Sequence, residues 1–282
     1  MADRNLTHFF RGGRFHTDEG MEVEIPPSGF AWREIASFPS RIDIYEESVS
    51  QVFPLGTKLT YGEETYRYAQ MGAGSVEIAA VCQAVVPLAG HIAETGTVAQ
   101  AIGDTQMTFT PNTVTTDDLA ANELQDGNSF IYDGTGEGHI YKVKSHPAIT
   151  GGQAGVLTLL DPVRVATGST AAITATHNKY KSVIIVAAGV QTAVPVGVTV
   201  IAVTTLFYFW LQTKGPCCVL VDGTLVMGRE VRCSEDDDGA VAAMDYDEAN
   251  DANAGKIGRV LEIGADATGG ASTYGFIELL LE

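Results

Sequence analysis

Positive charge is scarce in this 282-residue chain: 17 lysines and arginines face 35 aspartates and glutamates, a formal net charge of -18. Such a field repels phosphate backbones, so direct nucleic-acid binding through the bulk surface is not expected. Cysteine is also sparse. Cys82, Cys217, Cys218 and Cys233 are too few and too unevenly spaced for a disulfide framework. Adjacent Cys217 and Cys218 point to opposite faces of any strand that carries them, so they do not form a zinc knuckle together. All four are read as reduced thiols of a protein made in a cytoplasm. Met1 to Arg14 has no apolar core and no small-residue cleavage site, so it is not read as a signal peptide. The one stretch without charge, between Lys181 and Lys214, is long enough to span a bilayer. It contains Gly189, Gln191, Thr192, Pro195, Gly197 and Thr199, and its apolar residues are mostly β-branched. Buried strands joined by turns fit that pattern better than a membrane helix.

Recognisable chemistry is missing too. The six histidines, His8, His16, His91, His139, His146 and His177, have no HxH, HExxH or CxxC companion. Gly134-Thr135-Gly136-Glu137-Gly138 lacks the Gly-Lys-Ser/Thr ending of a phosphate loop and precedes a strand, so it reads as a hairpin tip. No Gly-x-Ser-x-Gly elbow occurs. Acidic pairs abound, but a sugar-binding cleft would need more than Trp32 and Trp210. Counting Ser234 as position one places Asp236, Asp238, Gly239 and Asp245 at EF-hand-like positions. Position one is Ser, the last ligand is Asp, and a strand precedes the loop, so a solvated acidic loop is the reading adopted. No metal, cofactor or enzymatic role is expected.

Strand and turn signals, by contrast, fill the chain. Residues 1–50 are broken by Gly12-Gly13, Pro26-Pro27, Ser28-Gly29 and Pro39, yet carry many aromatics, as an extended arm that orders on a surface would. That surface is its own core, a sister subunit or another protein. Lys58 to Tyr61 and Thr65 to Tyr68 alternate around a glycine-centred turn. Residues 98–179 hold short strands at Gln106, Asn128, His139, Gly155 and Ala172, and a short helix is expected over Thr116 to Leu124. Phe207 to Leu211 is apolar on both faces. Gly215-Pro216 breaks that strand, Asp222-Gly223 reads as a tight hairpin, and Ile257 to Ile263 and Tyr274 to Leu281 close the chain. The fold class is mainly β: antiparallel sandwich or barrel units, few short helices and an extended N-terminal arm. The expected divisions are an arm at 1–50, a main β domain from 51–97 plus 180–282, and a second, possibly inserted β domain at 98–179.

Pro54-Leu55-Gly56-Thr57 with Tyr66-Arg67-Tyr68-Ala69, Asp133 to Gly138 with Tyr141, and Tyr208 to Pro216 carry a resemblance to a family of tailed-bacteriophage virion proteins. The C-terminal part, with Gly228, the acidic loop and Ile257-Gly258, is similar to capsid cement or head-decoration proteins. The resemblance spans about residues 50–282 and its motifs are structural. It implies a virion protein on the capsid exterior, made in the host bacterial cytoplasm. Its partners would be the major capsid protein and its own copies in a homotrimer, with no direct nucleic-acid or membrane contact. In that setting Phe9, Phe10, Arg11, Arg14, Phe15, Phe30, Trp32, Tyr208 and Trp210 are the candidate capsid or subunit contacts. A phage tail or receptor-binding β protein is the alternative.

Overall fold

The computed structural model describes residues 12–30, 41–95, 98–112, 117–244, 255–263 and 273–282. The chain is mainly β, as expected, and no α-helix occurs among the described residues. It divides into two compact units. The smaller comprises Val86–Asn178 with Met1–Gly13 and Pro26–Ala36; the larger comprises Arg14–Ile25, Ser37–Val85 and Lys179–Glu282.

In the larger unit, β1 (Gly13–His16), β2 (Glu22–Ile25), β3 (Lys58–Tyr61) and β4 (Glu64–Gln70) lead to the long strand β14 (Tyr208–Val221). The segment read as an arm therefore supplies two strands of a sheet. Val23, 0% exposed, lies opposite Leu59, which fixes that edge. Three shorter strands, β5 (Val81–Gln83), β12 (Ile184–Ile185) and β13 (Pro195–Thr199), flank β14. The uncharged window thus forms β12, β13 and the first half of β14, and no helix among the described residues is long and apolar enough to cross a membrane.

Beyond its midpoint β14 enters a closed barrel. It pairs in parallel with β16 (Val241–Ala243), which pairs with β15 (Glu230–Cys233), then β17 (Lys256–Ile263) and β18 (Thr273–Leu280), and β18 returns antiparallel to β14. The barrel is filled by Cys217, Val219, Val221, Leu225, Val231, Cys233, Val241, Ile257, Val260, Ile277 and Leu279. Gly258 has to be glycine in this wall, since a Cβ there would stand 2.3 Å from the Glu278 carbonyl oxygen.

The two halves of β14 explain why one strand serves two sheets. From Phe209 to Thr213 every residue is buried, so both faces are covered; from Cys217 onward burial alternates, with Cys217, Val219 and Val221 inside the barrel. Residues 208–214 pair with β4, residues 214–221 with β18. The Gly-Pro break expected at Gly215 is instead a bend within one continuous strand. A bulge between Gln212 and Lys214 and a φ of +90° at Gly215 turn the chain, and the Gln212 side chain staples the bend by donating to the carbonyls of Lys214 (3.2 Å) and Pro216 (2.8 Å).

The Asp222-Gly223 hairpin is also corrected. Gly223 has the positive φ of a turn, +70°, but β14 and β15 do not pair. β18 already occupies the β14 edge over eight residues, and the chain after Gly223 crosses inward to bury Leu225.

The smaller unit is one antiparallel sheet in the order β6 (Glu94–Thr95), β11 (Ala172–Thr176), β8 (Asn128–Asp133), β9 (Ile140–Ser145), β10 (Gly155–Leu159), β7 (Gln106–Phe109). It starts earlier than the expected residue 98 because β6 pairs with β11. Met107, Phe109, Ile131, Tyr141, Val143 and Leu157 line its buried face, which turn residues Leu119 and Leu124 cover. The helix expected over Thr116 to Leu124 does not form at 117–124. Leu119 bridges to Ile149, and Asn122 takes a φ of +60° that a right-handed helix excludes. Thr116 lies outside the described residues. The hairpin tip read at Gly134 to Gly138 joins β8 and β9, with three glycines at positive φ.

Candidate functional site

An aromatic cluster in the larger unit gathers around Trp210. Its ring lies 5.1 Å from that of Tyr68 and 5.5 Å from that of Phe53; Phe53 meets Tyr68 edge-on at 5.4 Å, and Tyr208 stacks on Tyr68 at 6.0 Å. β14 and β4 position these groups, since Trp210 faces Tyr68 directly in the register. The Tyr68 hydroxyl accepts the Val52 N–H at 3.1 Å, and burial pushes its pKa up to about 12, so it stays a neutral phenol. Trp210 is 3% exposed and its surface is spent on its own chain, leaving none for a partner. Tyr208 is half-buried, with one face on Tyr68 and the rest at the surface.

Three of the remaining candidates, Arg14, Phe15 and Phe30, are among the described residues. Arg14 pairs with Glu22 at 2.9 Å and Glu24 at 3.5 Å across β1 and β2. Phe15 is half-buried in β1, and Phe30, half-buried in the smaller unit, donates its N–H to Ser28 Oγ. Phe9, Phe10, Arg11 and Trp32 lie outside the described residues.

Polar groups that sequence spacing left unassigned are spent on structure. Arg67 on β4 forms a two-pronged pair with Glu282, Nε to Oε1 at 2.7 Å and Nη2 to Oε2 at 2.8 Å, and its Nη1 donates to the Gly56 carbonyl. Tyr180 donates its hydroxyl to the same carboxylate at 3.1 Å. Burial alone would raise the Glu282 pKa, but the Arg67 hydrogen bonds and charge, with Tyr180 and Lys179, outweigh it and hold the carboxyl below the usual range. No short sequence motif signals this clamp, because its members are brought together only by the paired strands.

This clamp gives a pH-dependent expectation. A carboxyl with a depressed folded pKa contributes stability above its unfolded value, and loses it as pH falls through the folded one. Glu282→Gln should therefore cost about 1–2 kcal/mol at neutral pH. The two proteins should converge below the ordinary carboxylate range. Urea unfolding at neutral and acid pH measures this; an equal deficit at both would show that packing, not charge, is responsible.

The acidic loop is built as a serine-centred turn. Ser234 Oγ donates to Asp222 at 2.6 Å and accepts the N–H groups of Asp236 and Asp237, both at 3.0 Å, while Asp238 accepts the Ala188 N–H. Asp245, the last position of the EF-hand-like count, lies outside the described residues. In the smaller unit His91 and His177 have ring centres 6.3 Å apart, His91 Nε2 meets the Asp117 carbonyl, and His177 Nε2 meets Glu123 Oε1 at 3.2 Å. Among the described residues no three His, Cys, Asp or Glu side chains are placed to hold a metal ion. All four cysteines are free thiols; Cys82 and Cys233 are buried with pKa values pushed up to about 12, Cys217 is buried and raised further, and only Cys218 is exposed.

Comparison with protein-family models, with curated proteins and with solved structures finds no match to this chain.

Proposed function

We propose that this chain is a structural virion protein of a tailed phage, a cement or decoration protein that binds the outer surface of the head lattice and stabilises it, acting with the major capsid protein and with its own copies as a trimer. The observation that carries this reading is the place of the resembling motif. Tyr208 to Pro216 lies on β14, the strand that pairs with β4, β13, β16 and β18 and joins the β1–β4 part of the sheet to the barrel. Of the residues behind the resemblance, Tyr208 to Pro216 are thus those around which the larger unit is organised, while Asp133 to Gly138 and Tyr141 belong to the smaller unit. The aromatic cluster, the Arg67–Glu282 clamp and the Ser234 turn cross-link this framework internally, which suits a protein that reinforces a shell.

Co-sedimentation tests the reading. Purified mature heads that lack the chain should retain the full-length protein at a stoichiometry near that of the major capsid protein. Retention on isolated tails and not on heads would sink it in favour of a tail or receptor-binding role.

The N-terminal segment gives a separate prediction. Deleting residues 1–45 would strip β1, β2 and the buried side chains of Met21, Val23, Ile25, Ile42 and Ile44, and should unfold the larger sheet edge. Deleting residues 1–11 removes none of these. The shorter truncation should keep the wild-type unfolding midpoint and lose most head retention; full retention by that folded protein would place the contact elsewhere.

A further inference from the structure

The outer wall of the barrel carries a face that no described part of the larger unit covers. Register aligns it in rows across three strands: Leu220 opposite Tyr274, Phe276 between Cys218 and Glu262, and Glu278 between Pro216 and Arg259. Tyr274 is 45%, Phe276 43% and Leu261 43% exposed, and Cys218 is exposed beside them. Leu261 faces outward by strand alternation from the buried Val260, and the bulge between Val260 and Glu262 adds Glu262 to the same side. Two aromatic rings, a leucine and a thiol thus share one surface, while the alternate residues of the same strands fill the barrel.

Charge decides what fits there. The chain as a whole carries -18, so two copies repel wherever its average surface meets itself. On β14, β17 and β18 the exposed and half-exposed charges are Lys214, Lys256 and Arg259 against Glu262 and Glu278, and Glu230 on the adjoining β15 brings the two signs level. Glu230 already holds Lys256 at 2.8 Å and Arg259 at 3.2 Å. A strongly basic partner gains more from the acidic surface elsewhere, and an anionic one gains nothing here. A neutral, apolar face with both signs at its rim is complementary to a copy of itself. The barrel wall is closed between β14, β18 and β17, so the contact has to be face to face rather than by strand addition.

We infer that the outer wall formed by β14, β17 and β18, centred on Phe276, Tyr274, Leu261 and Cys218, is the surface through which two copies of this chain associate. This contact rests on the exposure and charge pattern alone; a face that meets itself makes a twofold pair, so it stands apart from the trimer of the virion reading. A protein that self-associates here yet ignores phage heads would overturn that reading and leave this one standing.

Sedimentation velocity of the full chain, run with thiol alkylation across the same concentration series, tests it. Mass should rise with concentration, and Cys218 alkylation should slow in step, since the other three thiols are buried in every copy. Phe276→Glu should weaken association at least about tenfold, as expected for an aromatic anchor replaced by a charge in a desolvated contact. The alkylation arm uses the unmodified chain, so the test holds even where Phe276→Glu fails to fold. A monomer at all concentrations overturns the inference and leaves the face to a different protein. An oligomer whose Cys218 reacts at the monomer rate overturns it as well, by placing the contact elsewhere.

Discussion

Trp210→Ala should destabilise the larger unit by about 3–5 kcal/mol, the usual cost of emptying a buried aromatic site. The indole is 3% exposed and contacts the Phe53 and Tyr68 rings, so its removal opens a cavity that these two neighbours cannot fill without giving up their own contacts. Tyr68 would lose its edge contact while its hydroxyl stays tied to the Val52 N–H, which prevents it from collapsing into the space. Tyr208→Ala removes a ring that is half-exposed and stacked on one side only, and should cost about 1 kcal/mol. Urea denaturation of both variants measures the difference. Equal losses would mean that the cluster is a surface feature and that the central position given to Trp210 is wrong.

Gly215→Val should cost about 3 kcal/mol or more, because two separate penalties add. A β-branched residue in the left-handed region is disfavoured by about 1–2 kcal/mol, and Gly215 sits at a φ of +90°. The new Cβ would also stand 2.8 Å from the Glu63 carbonyl oxygen and 3.0 Å from the Glu64 Cα, backbone atoms that move only if the β4 pairing shifts. Gly223→Ala separates the two effects. Gly223 has a φ of +70° but nothing within 4 Å of an added Cβ, so only the backbone term of about 1 kcal/mol applies. Thermal or urea unfolding of the pair gives the comparison, and a Gly215 variant no worse than the Gly223 one would remove the steric argument for the bend.

What the sequence disclosed and what it hid divide along the range of the interactions. The alternation of Lys58 to Tyr61 and of Gln106 to Phe109, the glycine tip at 134–138 and the two-sided apolar run at 207–211 all reflect local period and turn chemistry, and each is present in the fold. Gly215-Pro216 and Asp222-Gly223 were misleading for the same reason. Each has the local chemistry of a break, but the first is overridden by pairing on both sides of the bend and the second by β18, which arrives from much later in the chain to take the β14 edge. Closure of the barrel depends on one parallel contact between Val221 and Val241, which no periodicity announces. The candidate surface fared similarly. Trp210 drew notice as a large aromatic, and proximity to Phe53 and Tyr68 turned it inward. Phe276 and Tyr274 lay in a strand that was legible, but which of its faces meets solvent follows only from the curvature of the closed wall.

The most direct test of the structural-virion account is a reconstruction of phage particles assembled with and without this chain. The account predicts density over the outer head surface that disappears when the chain is omitted and that accepts a mainly-β body with a closed barrel. Unchanged heads, with the difference density confined to the tail, would contradict it.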